Sequence, residues 1–158
     1  AFREALAPHF GLDERVIEIL RKLPKETDPM HAVRTAVSAL AAFDENPDDL
    51  SSENLRRVGL RLLAKFPTLT AAFERIRKDR EPLEPDPELS IAGNFLYLVN
   101  GERPSEAATR VMDVALVLHA EHGSNASTFV ARATASTLTD PYSAITAAVG
   151  SLKGPLHG

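Results

Sequence analysis

Apolar residues recur at helical spacing along most of the chain, so each segment with a clear period predicts a helix. The first of these segments covers residues 12–23, and Pro24 is expected to stop it. Asp28 and Pro29 are residue types preferred at a helix N-cap and in a first turn, so they predict the start of a second helix, which ends near Phe43. Its apolar stripe has four members at this spacing: Met30, Val33, Val37 and Leu40.

A third helical pattern starts at Ser51 or Ser52 and continues to Asp79. Its apolar residues keep their register on both sides of Pro67: Leu55, Val58, Leu62, Phe66, Leu69, Phe73 and Ile76. Proline removes a backbone hydrogen bond and clashes with the preceding turn. The pattern therefore predicts either one long helix kinked at Pro67 or two helices in tandem.

The rest of the chain continues the helical pattern after a proline-rich stretch at residues 80–88. This stretch is predicted to be a surface loop within one domain, because it is short for a domain linker. Four further helices are predicted, over residues 89–100, 104–120, 125–137 and 140–153. Gly101 has the residue type that commonly ends a helix. The sequence thus predicts an all-α fold of about eight helices, with no sheet.

Charge and composition exclude several classes of partner. The 18 basic residues are scattered among 22 acidic ones without forming a basic stripe, so no nucleic-acid partner is predicted. No apolar run reaches the ~18 residues of a membrane span, so no membrane partner is predicted. The chain has no Cys, which excludes disulfides and is compatible with the cytoplasmic location that we expect. It also lacks Gln and is rich in Pro, a composition that favours a thermostable protein.

The chain starts at Ala1 and ends at Gly158 without an initiator Met or a visible signal peptide. We therefore expect it to be a portion of a longer protein.

Three of the five histidines cluster towards the end of the chain. The other two, His9 and His31, lie in polar surroundings and are expected to be solvated. His119 and His122 are three positions apart and would share a helix face, so zinc bound by both and Glu121 is one interpretation. The spacing is not that of an HExxH motif and no further ligand is evident. A pair of histidines at a helix C-terminus is the simpler interpretation, and no metal is predicted.

Small residues at positions 123–128 follow this pair, where the next helix is predicted to begin. The free N–H groups of a helix start can bind a carboxylate or a phosphate, although a plain N-cap explains the same residues. If they bind an anion, one anionic substrate could contact both this start and His122. His157 follows the last helix between Pro155 and Gly158, where a tight turn would hold it as a general acid or hydrogen-bond donor. On spacing alone it is equally an exposed tail residue.

Four stretches taken together resemble the citrate synthase family. Residues 28–40 resemble its HPM…RT-x-VSAL segment, with Asp28 where His is more usual, and residues 95–105 resemble FLY-x-L-x-GE-x-PS. The most specific matches are LVLHAEHGSNAST at 116–128 and DPYSAITAAVGSLKGPLHG at 140–158. The resemblance covers essentially the whole chain. It implies that residues 1–158 are part of the large helical domain of a two-domain, mainly α-helical dimer.

The resemblance also implies an activity and a role for individual residues. The family condenses acetyl-CoA with oxaloacetate to give citrate and CoA, the first step of the tricarboxylic acid cycle, without a cofactor. His157 would be the first catalytic histidine and would hydrogen-bond the thioester carbonyl while a carboxylate base removes a methyl proton. A neutral imidazole suits this role. His122 would bind oxaloacetate, Asn125 would line the same pocket and Ser127 would orient His157. A structural role for His119 is left open.

Other parts of the family's active site have no counterpart in this sequence. The second catalytic histidine, the aspartate base and the arginines that bind the substrate carboxylates would follow residue 158, together with the small domain. We therefore expect the isolated chain to be inactive. The segments at 29–43 and 51–79 match the part of the family that packs across the dimer interface, so a homodimer is predicted through them. An ordinary intramolecular core is the alternative.

The sequence leaves two other functions open. A 2-methylcitrate synthase, which uses propionyl-CoA, shares most of these motifs, and His119 and Leu156 favour the citrate enzymes only slightly. A non-catalytic helical scaffold is the alternative outside the enzyme class. The presence of both His122 and His157 argues against it, because a scaffold needs neither.

Overall fold

The computed structural model describes residues 2–157, so the predicted turn around His157 is described up to that residue and not at Gly158. This part of the chain contains eight α-helices, one short 3₁₀ helix at Ala7–His9 and no β-strand, which confirms the all-α prediction. The helices are α1 (Phe2–Leu6), α2 (Glu14–Arg21), α3 (Pro29–Ala42), α4 (Ser52–Ile76), α5 (Ile91–Asn100), α6 (Glu106–Leu118), α7 (Ala126–Ala135) and α8 (Pro141–Leu152). Between residues 2 and 157, no helix combines the length and apolar character that a membrane span requires.

Side-chain caps start the helices where the sequence predicts them. The carboxylate of Asp28 accepts a hydrogen bond from the Met30 N–H before α3, and Asp140 accepts one from the Ser143 N–H before α8. Each cap satisfies a backbone donor that a helix start otherwise leaves without a partner. At the other end of a helix, Gly101 adopts φ +91° and closes α5, as predicted.

The structure corrects two details of the predicted helices and decides between two alternatives for a third. The short helix α1 was not predicted, since five residues are too few to show a period. Of the two alternatives predicted for residues 51–79, the structure has the single helix, since α4 continues through Pro67. Leu55, which was predicted to lie on its apolar face, is 41% exposed, whereas the neighbouring Asn54 is buried.

Helix α3 lies at the centre of the core, where α2, α4 and α8 pack around it. The predicted stripe is confirmed, because Val33, Val37 and Leu40 are buried and Met30 packs against them. The other large members of this core come from α2, α4 and α8: Val16, Leu20, Val58, Leu62, Leu69, Phe73, Tyr142 and Val149. The core thereby fixes α8, the helix whose end leads to His157.

A buried carboxylate joins three of these elements. Asp44, which follows α3, has a fully inaccessible side chain that accepts hydrogen bonds from Arg57 and Arg61 of α4, both at 2.6 Å. It also accepts one from the hydroxyl of Tyr142 on α8. Burial alone would raise the pKa of Asp44, but the hydrogen bonds from Arg57 and Tyr142 outweigh it and hold that pKa well below its usual range. Asp44 is therefore a charged link between α4 and α8.

Helices α6 and α7 lie at the edge of the fold. Neither contains a buried residue, and α6 packs on α5 while α7 packs on α8. Several of their apolar side chains are largely exposed, among them Val111, Val117, Leu118 and Phe129. The residues singled out in the sequence lie around the end of α6 and the start of α7.

Candidate active site

The start of α7 is held against the end of the chain by His157. The N–H of Ser127 donates a hydrogen bond to Nε2 of His157 at 3.2 Å, and the Ser127 Oγ lies 3.0 Å from the same nitrogen. The backbone N–H of His157 donates to the carbonyl of Gly154 at 2.9 Å, which closes the turn after α8. His157 is therefore not an isolated tail residue, and its ring is fixed by a contact that spans 30 residues of sequence.

The contact with Ser127 determines where the ring of His157 carries its proton. A backbone N–H can only donate, so Nε2 must accept with a lone pair. In the neutral ring the single proton then lies on Nδ1. Nδ1 has no hydrogen-bond partner within residues 2–157, so it can donate to a bound molecule.

Asn125 and Ser127 form a second part of this arrangement. As the N-cap of α7, Asn125 accepts through Oδ1 from the Thr128 N–H at 2.8 Å. The Ser127 hydroxyl lies 2.8 Å from Oδ1 and 3.0 Å from Nε2 of His157, and its one proton serves one of these two acceptors at a time. The Nδ2 amide has no partner in the described part of the chain, and its two N–H groups can donate to a ligand oxygen.

His119 and His122 lie on the other side of the turn between α6 and α7. His119 is the C-cap of α6, and its Nδ1 donates to the carbonyl of Ala115 at 2.7 Å. The rings of His119 and His122 meet edge-on, with centroids 6.3 Å apart. Both side chains are exposed. His119 is thus held by its own helix, whereas the ring of His122 has no hydrogen-bond partner among the described residues.

The structure brings together three of the four residues that the sequence singled out for the site. Asn125, Ser127 and His157 form one hydrogen-bonded cluster. No hydrogen bond or ring contact within residues 2–157 connects His122 to this cluster. Its predicted place in the same pocket stays a prediction.

One residue near the cluster had no place in the sequence predictions. Arg132 lies one turn after Thr128 on α7, and both line a cavity of about 320 Å³ together with Ser124, Phe129 and Ala133. Arg132, in the last turn of α7, makes no ion pair with a carboxylate of the described residues, so its charge is available to this cavity. Thr128 and Arg132 are four positions apart on a predicted helix, and this spacing could have indicated that they share a face beside the helix start.

Metal binding finds no support in the geometry around His119 and His122. Between residues 2 and 157, no group of three or more His, Asp or Glu side chains is arranged to hold an ion. Glu121, the carboxylate of the zinc interpretation, accepts a hydrogen bond from the N–H of Gly123 instead. Its role there is to fix the turn that leads from α6 to α7.

Comparisons with known proteins point to one family along the whole chain. The model of the family described as "Citrate synthase, C-terminal domain" matches residues 1–158. Citrate synthase from Haloferax volcanii is 48% identical over 163 residues, which cover 100% of this chain and 43% of the relative. The Deinococcus radiodurans enzyme is 44% identical over 99% of this chain and 42% of its own length. A 2-methylcitrate synthase 2 from Corynebacterium glutamicum is also 44% identical, with the same two coverages.

Solved structures of the same family share the fold. Citrate synthase from Pyrobaculum aerophilum superposes with a TM-score of 0.91 at 36% identity, covering 99% of this chain and 41% of that structure. The enzyme from Thermoplasma acidophilum, solved as a ternary complex with carboxymethyl coenzyme A and oxaloacetate, gives a TM-score of 0.92 at 31% identity, with the same coverages. The chain thus spans about two fifths of the length of the relatives it matches.

Proposed function

Since the chain belongs to the citrate synthase family, we propose that a full-length protein carrying it condenses acetyl-CoA with oxaloacetate to give citrate and CoA. Residues 1–158 would form part of its large helical domain. This reaction forms a carbon–carbon bond from the methyl group of the thioester, so that group must first lose a proton. The charge that develops on the thioester oxygen needs a fixed hydrogen-bond donor in a site shielded from water.

We propose His157 as that donor, and its contact with Ser127 is the observation that carries the proposal. Because Nε2 accepts from the Ser127 N–H, the neutral ring presents its proton on Nδ1, where no described residue competes for it. A neutral imidazole is a weak acid, so it can stabilise an enolate by hydrogen bonding without being consumed by proton transfer. The turn after α8 holds the backbone of His157 and the Ser127 N–H holds its ring, which pre-organises the donor.

We assign oxaloacetate binding to Asn125 and His122. The free Nδ2 of Asn125 and the ring of His122 can both donate to carboxylate or ketone oxygens, and the N-terminus of α7 adds a favourable dipole for an anion. The ternary complex of the Thermoplasma acidophilum relative contains oxaloacetate and a coenzyme A derivative, which supports these two substrates for this family.

The base that removes the methyl proton is proposed to lie outside residues 1–158. Within residues 2–157, no carboxylate is hydrogen-bonded or ion-paired to Asn125, Ser127 or His157. We therefore expect the isolated chain to be inactive. The test is an assay of CoA release with acetyl-CoA and oxaloacetate, comparing the full-length protein with residues 1–158 alone. Turnover by the full-length protein and none by the piece supports the proposal. Citrate formation by the piece, well above background, contradicts the location of the base.

A second candidate function is 2-methylcitrate synthesis from propionyl-CoA, because the Corynebacterium glutamicum relative with that name is as similar as several citrate synthases. Both reactions require the same donor and the same oxaloacetate site. The ratio of kcat/KM for acetyl-CoA to that for propionyl-CoA, measured on the full-length protein, separates them. A ratio well above one supports citrate synthesis, and a ratio below one supports the second candidate.

We also propose that the full-length protein is a homodimer in the cytoplasm, with α4 in the interface. Helix α4 carries exposed apolar residues, of which Leu63 is 45% exposed and lines an apolar groove between α4, α5 and α6. The apolar stripe of α3, in contrast, is buried within the chain. The exposed apolar residues of α4 therefore support a dimer interface better than α3 does. Light scattering should show a dimer that Leu63→Glu weakens, whereas Arg56→Glu, at an exposed polar position of the same helix, leaves it intact. An undisturbed dimer in Leu63→Glu argues against this interface.

A further inference from the structure

A small cavity lies between α2, the second half of α4 and the proline-rich loop that follows α4. Its volume is about 180 Å³, which is the space of about six water molecules. Leu12, Ile17, Ala72 and Pro82 give it apolar walls, and two of them, Ile17 and Ala72, are buried. None of the lining residues belongs to the cluster around His157, so the cavity is separate from the candidate active site.

The loop that closes this cavity is fixed to both helices. At the end of α4, Nε of Arg75 donates to the carbonyl of Glu81 at 2.6 Å, and the Arg80 N–H donates to the carbonyl of Arg75 at 2.9 Å. From α2, the guanidinium of Arg21 contacts the carboxylate of Glu81 at 2.6 Å. The cavity is therefore formed before a ligand enters it, which lowers the entropic cost of binding.

A buried hydroxyl on the cavity wall has no hydrogen-bond partner. Thr68 is 4% exposed, and its Oγ1 forms no hydrogen bond within residues 2–157. A threonine in a helix can donate to the carbonyl four residues before it, as Thr35, Thr70 and Thr109 do. Thr68 does not make this bond, so its hydroxyl is left for a polar group of a ligand in the cavity.

The charges on the lining favour a cation. Three carboxylates, those of Glu14, Glu81 and Glu84, accompany one guanidinium, that of Arg21. Arg21 already pairs with Glu14 at 2.9 Å and with Glu81 at 2.6 Å. Glu84 is exposed and has no ion pair or hydrogen bond among the described residues, so its charge is available to a ligand.

We propose that this cavity binds a short aliphatic amine with a hydroxyl group at its other end, the chemistry of an amino alcohol. The ammonium group would pair with Glu84 at the mouth, the carbon chain would contact the apolar walls and the hydroxyl would hydrogen-bond Thr68. A metal ion fits less well, because no group of three acidic or histidine side chains in residues 2–157 is arranged to hold one. The inference concerns this cavity alone and does not rest on the reaction proposed above.

Titration of the full-length protein with three ligands of similar length tests the site. Aminobutanol carries both the charge and the hydroxyl, butylamine lacks the hydroxyl and butanediol lacks the charge. Ligand-observed NMR should show that aminobutanol binds about fivefold more tightly than butylamine, the effect of one neutral hydrogen bond. Butanediol should also bind more weakly than aminobutanol. If aminobutanol does not bind, or binds no better than either of the other two ligands, the proposal is overturned.

Three variants show whether the ligand occupies this cavity. Thr68→Val keeps the shape of the side chain but removes the hydroxyl, so it should lower the affinity for aminobutanol to that for butylamine and leave butylamine binding unchanged. Because this hydroxyl has no partner in residues 2–157, the variant should fold as the wild type does, which thermal unfolding checks. Glu84→Gln should weaken both amines about threefold, since it removes an exposed charge partner.

Glu18→Gln is the matched control for Glu84→Gln, because Glu18 is an exposed acid of α2 outside the lining. It should change neither affinity. Aminobutanol binding that is equally strong in the wild type, Thr68→Val and Glu84→Gln would place the ligand elsewhere on the protein and overturn the proposal.

Discussion

The backbone N–H of Ser127 and Nε2 of His157 are 3.2 Å apart, in a hydrogen bond that connects the first turn of α7 to the turn after α8. Because the donor is a backbone group, this contact determines the proton position on the ring whatever side chain residue 127 carries. The hydroxyl of Ser127, 3.0 Å from the same nitrogen, adds a second restraint that does depend on the side chain. The two restraints can therefore be separated by mutation.

Replacing Ser127 with alanine should lower kcat of the full-length protein about fivefold. The change removes one neutral hydrogen bond, worth about 1 kcal/mol, but keeps the backbone donor and thus the proton on Nδ1. KM for oxaloacetate should change little, because Asn125, to which we assign its binding together with His122, keeps the hydrogen bond from the Thr128 N–H. Steady-state kinetics with Ser124→Ala as the control, an exposed serine of the same turn, provide the measurement. An unchanged kcat in Ser127→Ala would show that the hydroxyl does not position His157.

The Asp44 link should be a large contributor to stability. Asp44→Asn leaves Arg57 and Arg61 beside an uncharged group in the core, and breaking a buried ion pair in this way typically costs about 3 kcal/mol. Urea unfolding of the full-length protein should show this loss in the free energy of unfolding. Asp48→Asn, at an exposed acid in the same connection, should leave stability within about 0.5 kcal/mol.

The same carboxylate predicts a pH dependence. The pKa of Asp44 is lower in the folded state than in the unfolded chain, so its contribution is fully present above the unfolded value of about 4 and is lost as pH falls below it. The difference in stability between the wild type and Asp44→Asn should therefore be constant from about pH 5 to 7 and shrink below about pH 4. A difference that grows as the pH falls would contradict the assigned charge state.

Two glycines should respond in opposite directions to substitution by alanine. Gly101 has φ +91°, and an added Cβ would lie 3.2 Å from Nη1 of Arg75, so Gly101→Ala should destabilise the protein by about 1 kcal/mol. Gly59 lies on an exposed face of α4 with no atom within 4 Å of the added Cβ. Gly59→Ala should stabilise it by about 0.5–1 kcal/mol, because alanine favours a helix interior. Thermal unfolding of the two variants side by side gives the comparison, and a shared sign would contradict it.

The helices could be predicted from the sequence largely because their starts are marked by local chemistry. Asp28, Ser51 and Asp140 cap α3, α4 and α8 as predicted, since an N-cap depends on only a few neighbouring residues. Pro67 shows the limit of such rules. The missing hydrogen bond at Pro67 argues for a break, but Leu62 and Leu69 are buried in the same core on either side of it, and this packing keeps α4 continuous.

The candidate site could be predicted only in part from spacing. Asn125 and Ser127 are neighbours at a predicted helix start, so their hydrogen bond is a local feature. The contact between Ser127 and His157 depends on how α7 packs against α8, and no sequence period contains that information. The expectation that Ser127 orients His157 came instead from the resemblance to the citrate synthase family.

The central claim is that His157 is the hydrogen-bond donor to the reacting thioester, and His157→Ala in the full-length protein tests it most directly. Rates of CoA release with saturating acetyl-CoA and oxaloacetate should fall about a thousandfold, since a positioned donor or acid–base group of this kind typically contributes two to four orders of magnitude. His31→Ala, at an exposed histidine on α3, should retain the rate of the wild type. A folded His157→Ala protein that keeps more than a tenth of the wild-type kcat would contradict the account.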